Sequence, residues 1–190
     1  MIPRRLKPAG VAGALAALLA ACQSAPTRLF MVEPVAPTAA SSPYDGPAVR
    51  VEAVHVPAAL DRMEIVSEIA PGEFKVSDLD RWMAPLGQGI RQALTLDLAA
   101  RLPAGRVIFP HLAKPPECIG ISVELLDFNI DRRGAEIDVS WLGTSDDARS
   151  PPRGGTMVLR TSLTGTGSAS MATALSELLA QFADRIVAGL

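Results

Sequence analysis

The chain has 190 residues, with 18 Lys and Arg against 20 Asp and Glu, 48% hydrophobic residues and two cysteines. That is enough apolar sequence for a buried core, and too few cysteines for a disulfide scaffold. With a formal net charge of −2 and no Lys/Arg cluster or basic stripe, nucleic-acid binding is disfavoured.

The chain begins with a positive segment carrying Arg4, Arg5 and Lys7, followed by an uncharged Ala/Leu-rich run from Ala9 to Ala21. This run is shorter than the about 20 apolar residues a bilayer core requires, so it reads as an export signal and not as a stable span. It ends in Leu19-Ala20-Ala21-Cys22, which matches the bacterial lipobox at all four positions. Small residues before the cysteine let an extended chain enter a peptidase. The Cys22 thiol then carries a diacylglyceryl thioether and, as the new N-terminus, an N-acyl chain. Each buried CH₂ contributes roughly 0.8 kcal/mol, so two or three chains anchor stably. Gln23 stands where Asp would retain a lipoprotein at the inner membrane, and so directs the expectation to the outer membrane.

Removal of residues 1–21 leaves 169 residues, with 15 basic against 20 acidic because three basic residues lie in the signal. Cys118 then has no intrachain partner and reads as a buried structural thiol in preference to a reactive one. Residues 22–47 comprise the lipidated N-terminus, a first strand at 28–32 and a loop holding Pro34, Pro37, Pro43 and Pro47. Residues 48–190 form the remainder of a single α+β domain, to which the first strand belongs.

Val49 to Val56 alternates apolar and polar at period two, the pattern of a half-buried strand closed by Pro57. Met63 to Ile69 and the short Phe74-Lys75-Val76 are further strand candidates. Leu79, Trp82, Leu86, Ile90, Leu94 and Leu98 then recur every three to four residues, predicting a helix to about Leu102. Ser77 or Asp80 could cap it, while Pro85 places its regular part from near Ala84. Val107-Ile108-Phe109 reads as a short strand. Ile119 to Ile130 and Ala135 to Leu142 flank an Asp131–Gly134 turn and predict a hairpin. A polar loop at 144–155, a strand at 155–164 and a helix from about Ser170 complete the chain. Two amphipathic helices and a mostly antiparallel sheet predict a two-layer α+β sandwich with both helices on one face.

Residues with chemical potential are scattered. His55 and His111 have no Cys or carboxylate at ligand spacing, so no metal site is expected. Gly165-Thr166-Gly167 lacks the rest of a dinucleotide fingerprint, and there is no Gly-x-Ser-x-Gly elbow or P-loop. Asp146-Asp147 and the Asp127/Asp131 pair sit at turns, where Asp bonds its own backbone. Trp82 and Trp141 fit core or interface better than a ligand stack. No catalytic constellation emerges, and no cofactor is expected beyond the lipid on Cys22.

Several segments resemble a known family. They are Val56-Pro57, Leu60-Asp61-Arg62, Ile65-Val66 and above all Arg81-Trp82-Met83-Ala84-Pro85-Leu86 ahead of a Leu-rich helix. The run from Ile121 to Trp141 and the final Ala/Leu helix add to the likeness. Together, over roughly residues 28–188, they resemble the ABC-type transport auxiliary lipoproteins, PqiC-like outer-membrane components of intermembrane transport systems. Phe30 stands where the family tends to have Tyr, and Glu68-Ile69 where an Arg is frequent. The resemblance implies a non-enzymatic subunit that works with an MCE-domain periplasmic protein and its permease and ATPase to move lipids or other hydrophobic compounds. By the same analogy it implies ring-like self-association. Arg81, Trp82, Pro85 and Leu86 are the candidate motif, either packing the start of a helix or touching a partner. The alternative reading is a structural or assembly lipoprotein that stabilises an outer-membrane complex without a part in transfer.

Overall fold

The structure is a computed structural model that describes residues 25–38, 43–70, 72–131, 134–147 and 150–190. Residues 1–24, with the expected export signal, Cys22 and Gln23, lie outside the described residues. The elements in order are β1 (Arg28–Phe30), β2 (Val49–His55), β3 (Glu64–Ala70), β4 (Glu73–Trp82), α1 (Leu86–Arg101), β5 (Ile119–Asp131), β6 (Gly134–Ser145), β7 (Arg153–Thr161) and α2 (Ser168–Gly189).

The architecture is α+β, with both helices packed on the inner face of a strand-rich layer. The strands divide into two sheets, β1-β4-β3 and β2-β5-β6-β7, where the sequence suggested one. Each sheet is mixed. β1 runs parallel to β4 and β2 parallel to β5, while the β3–β4 hairpin and the β5–β6–β7 meander are antiparallel. The division follows from the segment after β1: proline-rich chain cannot continue a ladder, and this stretch crosses the helices before β2 begins.

Burial in β6 alternates strictly, with Ala135, Ile137, Val139 and Trp141 inward. They meet Ile90, Leu94 and Leu98 of α1 and Leu175, Leu178, Phe182 and Ile186 of α2 in one core. β5 keeps its apolar residues on that core despite a change of phase. Leu125 pairs with Val139 but Asp127 with Asp138, so Leu126 is an extra, bulged residue. Ile121, Val123 and Leu125 point inward before the bulge; Phe128 and Ile130 pack against the core after it.

Residues 77–82 are the main departure from the sequence reading. Leu79 and Trp82 continue the apolar spacing of α1, yet both belong to β4, and the helix begins at Leu86. Pro85 explains the boundary, because the residue before a proline avoids helical geometry. Pairing with β1 on one side and β3 on the other extends β4 well beyond the expected Phe74–Val76. Ser77 and Asp80 are therefore strand residues and cap no helix. The cap arrives from elsewhere: Asp61 Oδ1 accepts the Gly87 N–H at 2.9 Å. Val107 makes one parallel bridge to Val49, and no strand forms at 107–109. β6 reaches Ser145 and β7 starts at Arg153, so the polar loop is shorter than its composition suggested.

Four glycines among the described residues have positive φ, and two of them shape the turns around the helices and the hairpin. Gly134 closes the β5–β6 hairpin at φ 150°, and a Cβ there would collide with the Thr161 carbonyl. Gly167, at φ 82°, turns the chain into α2.

Candidate functional site: the small sheet and the N-terminal strap

The Arg81–Leu86 run joins the small sheet to α1. Trp82 is 4% exposed and lies opposite Phe30. Its N–H donates to the Met63 carbonyl at 2.6 Å, and the Met83 N–H donates to the Phe30 carbonyl at 2.8 Å. Pro85 occupies the N-cap position and Leu86 is buried. Arg81 points the other way and is partly exposed, its guanidinium 3.7 Å from Glu64. The run thus places two side chains, Trp82 and Leu86, in the core and one, Arg81, on the surface. A shallow recess of about 270 Å³, lined in part by Phe30, Met31, Trp82, Met83 and Leu86, opens beside it.

On the core side of the same sheet, Arg28 donates from Nε and Nη2 to the two carboxylate oxygens of Asp80 at 2.7 and 2.6 Å. Ser168 Oγ donates to Asp80 Oδ2 at 2.6 Å. The Arg28 guanidinium and the Ser168 hydroxyl hold the Asp80 carboxyl below its ordinary range. One buried carboxylate therefore ties together β1, β4 and the first turn of α2, in the bidentate geometry that makes Arg–carboxylate pairs specific.

The strap that follows β1 is fixed to the groove between the helices. Val32 is buried, the Glu33 N–H donates to Ser176 Oγ at 3.0 Å, and the Val35 N–H donates to Asp97 Oδ1 at 2.9 Å. Arg101 Nη1 returns a bond to the Val35 carbonyl at 3.2 Å and meets Asp97 Oδ1 at 3.2 Å, while its Nε reaches Asp184 at 2.6 Å. Asp97 is fully buried, and burial pushes its carboxyl up to about 6 against the opposing pull of the Val35 N–H and Arg101. Its Oδ2 is buried without a hydrogen-bond partner. This cluster had no signature in the sequence beyond an i,i+4 Asp97–Arg101 spacing on α1. Val35 and Asp184, which complete it, are far away along the chain.

The remaining candidates stay apart. His55 and His111 are exposed, and no group of three or more His, Cys, Asp or Glu that could hold a metal occurs among the described residues. Cys118 is buried, which raises its thiol pKa. Trp141 is in the core. Asp146 lies 3.5 Å from Lys114, which also pairs with Glu52 at 2.9 Å. On the outer face of the larger sheet, Leu142 and Val158 are exposed beside a Thr156–Ser140 hydrogen bond and an Arg160–Glu136 pair. β7 forms one edge of that sheet. No helix among the described residues is long and apolar enough to cross a membrane.

Fold and site together define an α+β module in which Asp80, Asp97, Arg101 and Ser176, all buried, hold its own N-terminal segment. The family model for the ABC-type transport auxiliary lipoprotein component matches residues 30–187, and the chain belongs to that family. Among solved structures, one titled as an uncharacterized protein is similar at 17% identity with a TM-score of 0.70, covering 86% of this chain and 98% of its own. Protein XCC0632 from Xanthomonas campestris is similar at 15% identity with a TM-score of 0.62, covering 85% and 92% respectively. At these identities the likeness is one of fold. No curated protein matches.

Proposed function

We propose that this protein is the lipid-anchored, non-enzymatic subunit of an ABC- and MCE-type intermembrane transport system. It is held at the outer membrane through acylated Cys22 and receives the periplasmic end of an MCE-domain assembly that carries lipids or other hydrophobic compounds. The family match over residues 30–187 carries this reading, since it spans nearly everything after the lipobox. The exposed edge of β7 supports it, because an unpaired edge is a template for a partner's strand. Self-association into a ring would present several such edges to a ring-shaped partner. Within the Arg81–Leu86 motif, the buried Trp82 and Leu86 pack the start of α1 behind Pro85, and Arg81 stays partly exposed beside Glu64.

Crosslinking in intact envelopes, followed by recovery of this protein, tests the proposal. The expected product contains an MCE-domain protein with its permease or ATPase, and disappears when Cys22→Ala blocks palmitate incorporation. Recovery of outer-membrane proteins alone would favour a structural lipoprotein without a role in transfer. Palmitate labelling of the Cys22→Ala chain would refute the anchor.

A further inference from the structure

The small sheet has one face against the core and one against solvent. Register assigns the members of each. Asp80, Trp82, Phe30 and Ile65 turn inward. On the other face, Leu29 lies beside Arg81, Arg81 beside Glu64, Val66 beside Val76, and Phe74 beside Glu68. Between the Glu64–Arg81 and Val66–Val76 pairs β4 has three residues more than β3, so its alternation changes phase there and brings Val76 and Phe74 to the side of Arg81; Leu79, two residues before Arg81, is exposed beside it. This outer face is unusually apolar for an exposed surface: Leu29 is 58% exposed, Phe74 56% and Leu79 39%, with Met83 at 58% just beyond the end of β4. Glu64, Arg81 and Glu68 on this face each have a partner. Glu64 sits between Arg62 at 3.0 Å and Arg81 at 3.7 Å, and Glu68 accepts the Gly72 N–H at 2.9 Å. Exposed apolar side chains gathered on one sheet face mark a contact surface.

What covers it follows from where the lipid is attached. Arg28, the first residue of β1, is six positions along the chain from Cys22. Even fully extended, six residues span at most about 20 Å. A thioether-linked diacylglycerol seated in a bilayer therefore keeps Leu29, and the sheet face that begins with it, within reach of the lipid headgroups. We propose that the outer face of the β1-β4-β3 sheet lies on the membrane, with Leu29, Phe74, Leu79 and Met83 entering the interface beside the anchor. This rests on the anchoring of Cys22 proposed above. The contact gives the anchored domain a fixed posture. The apolar side chains, and not the paired charges, provide the attachment, in the manner of other interfacial apolar faces.

The test uses the acylated protein in vesicles of phosphatidylethanolamine and phosphatidylglycerol. Cys118 is buried and Cys22 carries the lipid, so a cysteine introduced at the surface takes a single environment-sensitive label. Labels at Phe74→Cys, Leu79→Cys and Met83→Cys should be quenched several-fold more strongly by spin-labelled lipid than a label at Val158→Cys on β7. Quenching at 83 should fall toward that of 158 when Phe74→Asp and Leu79→Asp are combined; both sites are exposed, so the fold tolerates them. Protein that floats with the vesicles while labels at 74, 79 and 83 stay unquenched overturns this posture and leaves the anchor standing. Labels shielded from both lipid and aqueous quenchers overturn it too, and identify a second copy as the cover. Acylated protein that fails to float overturns both.

Discussion

Trp82→Ala tests the core that joins the two sheets to the helices. Trp82 is 4% exposed and held opposite Phe30, and its backbone N–H is fixed to Met63 at 2.6 Å. Truncation removes nearly the whole indole from a closed environment, and changes of this kind cost about 3–5 kcal/mol. In a domain of this size each kcal/mol moves the melting temperature by about 2–4 °C, so a fall of about 6–20 °C is expected. The assay is thermal unfolding of the mature chain with Cys22→Ser, followed by circular dichroism. Trp82→Phe should recover much of the loss, because it keeps an aromatic ring in the same space. Arg81→Ala, one residue earlier in the same motif, removes a partly exposed pair worth no more than about 1 kcal/mol and should change little. A Trp82→Ala protein that melts within about 2 °C of the parent would refute the burial argument. If it also lost partner binding, Trp82 would have to be a surface contact.

Asp61→Ala removes the one side-chain acceptor that reaches the first turn of α1, at the Gly87 N–H, and should destabilise by about 0.5–2 kcal/mol in urea unfolding. Asp97 makes stability depend on pH. Its folded-state pKa of about 6 lies above the ordinary 3.8, so the contribution is complete below the lower value and is lost as pH rises through the upper one. The full swing has a ceiling of about 3 kcal/mol. Asp97→Asn, compared with the parent across pH 4 to 7 by urea midpoint, should flatten this decline; parallel curves would show that Asp97 does not titrate there. Docking through the β7 edge should weaken little with salt, since screening acts chiefly on exposed ion pairs. Of Met157→Pro and Val158→Pro, one removes a ladder bond to β6 and the other an outward N–H, and the outward one should abolish binding to the proposed MCE-domain partner without loss of fold. A steep fall in affinity with salt, or tight binding retained in both variants, would exclude edge docking.

Local pattern was sufficient wherever one residue's environment is set by its near neighbours. The alternation from Ile119 to Leu142 and the Asp131–Gly134 turn specified the hairpin, and Leu175, Leu178, Phe182 and Ile186 specified the buried stripe of α2. The family likeness was likewise visible in contiguous runs, the Arg81–Leu86 segment above all. Leu79 and Trp82 show where such pattern fails: their spacing suits a helix, but β1 and β3 offer backbone partners on both sides, and strand pairing prevails over periodicity. Asp61 could not be recognised as the partner of Gly87 because the two lie 26 residues apart, and the Asp97 cluster draws on Val35 and Asp184 from opposite ends of the chain. The division into two sheets has the same origin. A proline-rich strap has no ladder of its own, and its path is set by Ser176, Asp97 and Arg101, side chains whose meeting exists only after both helices have packed.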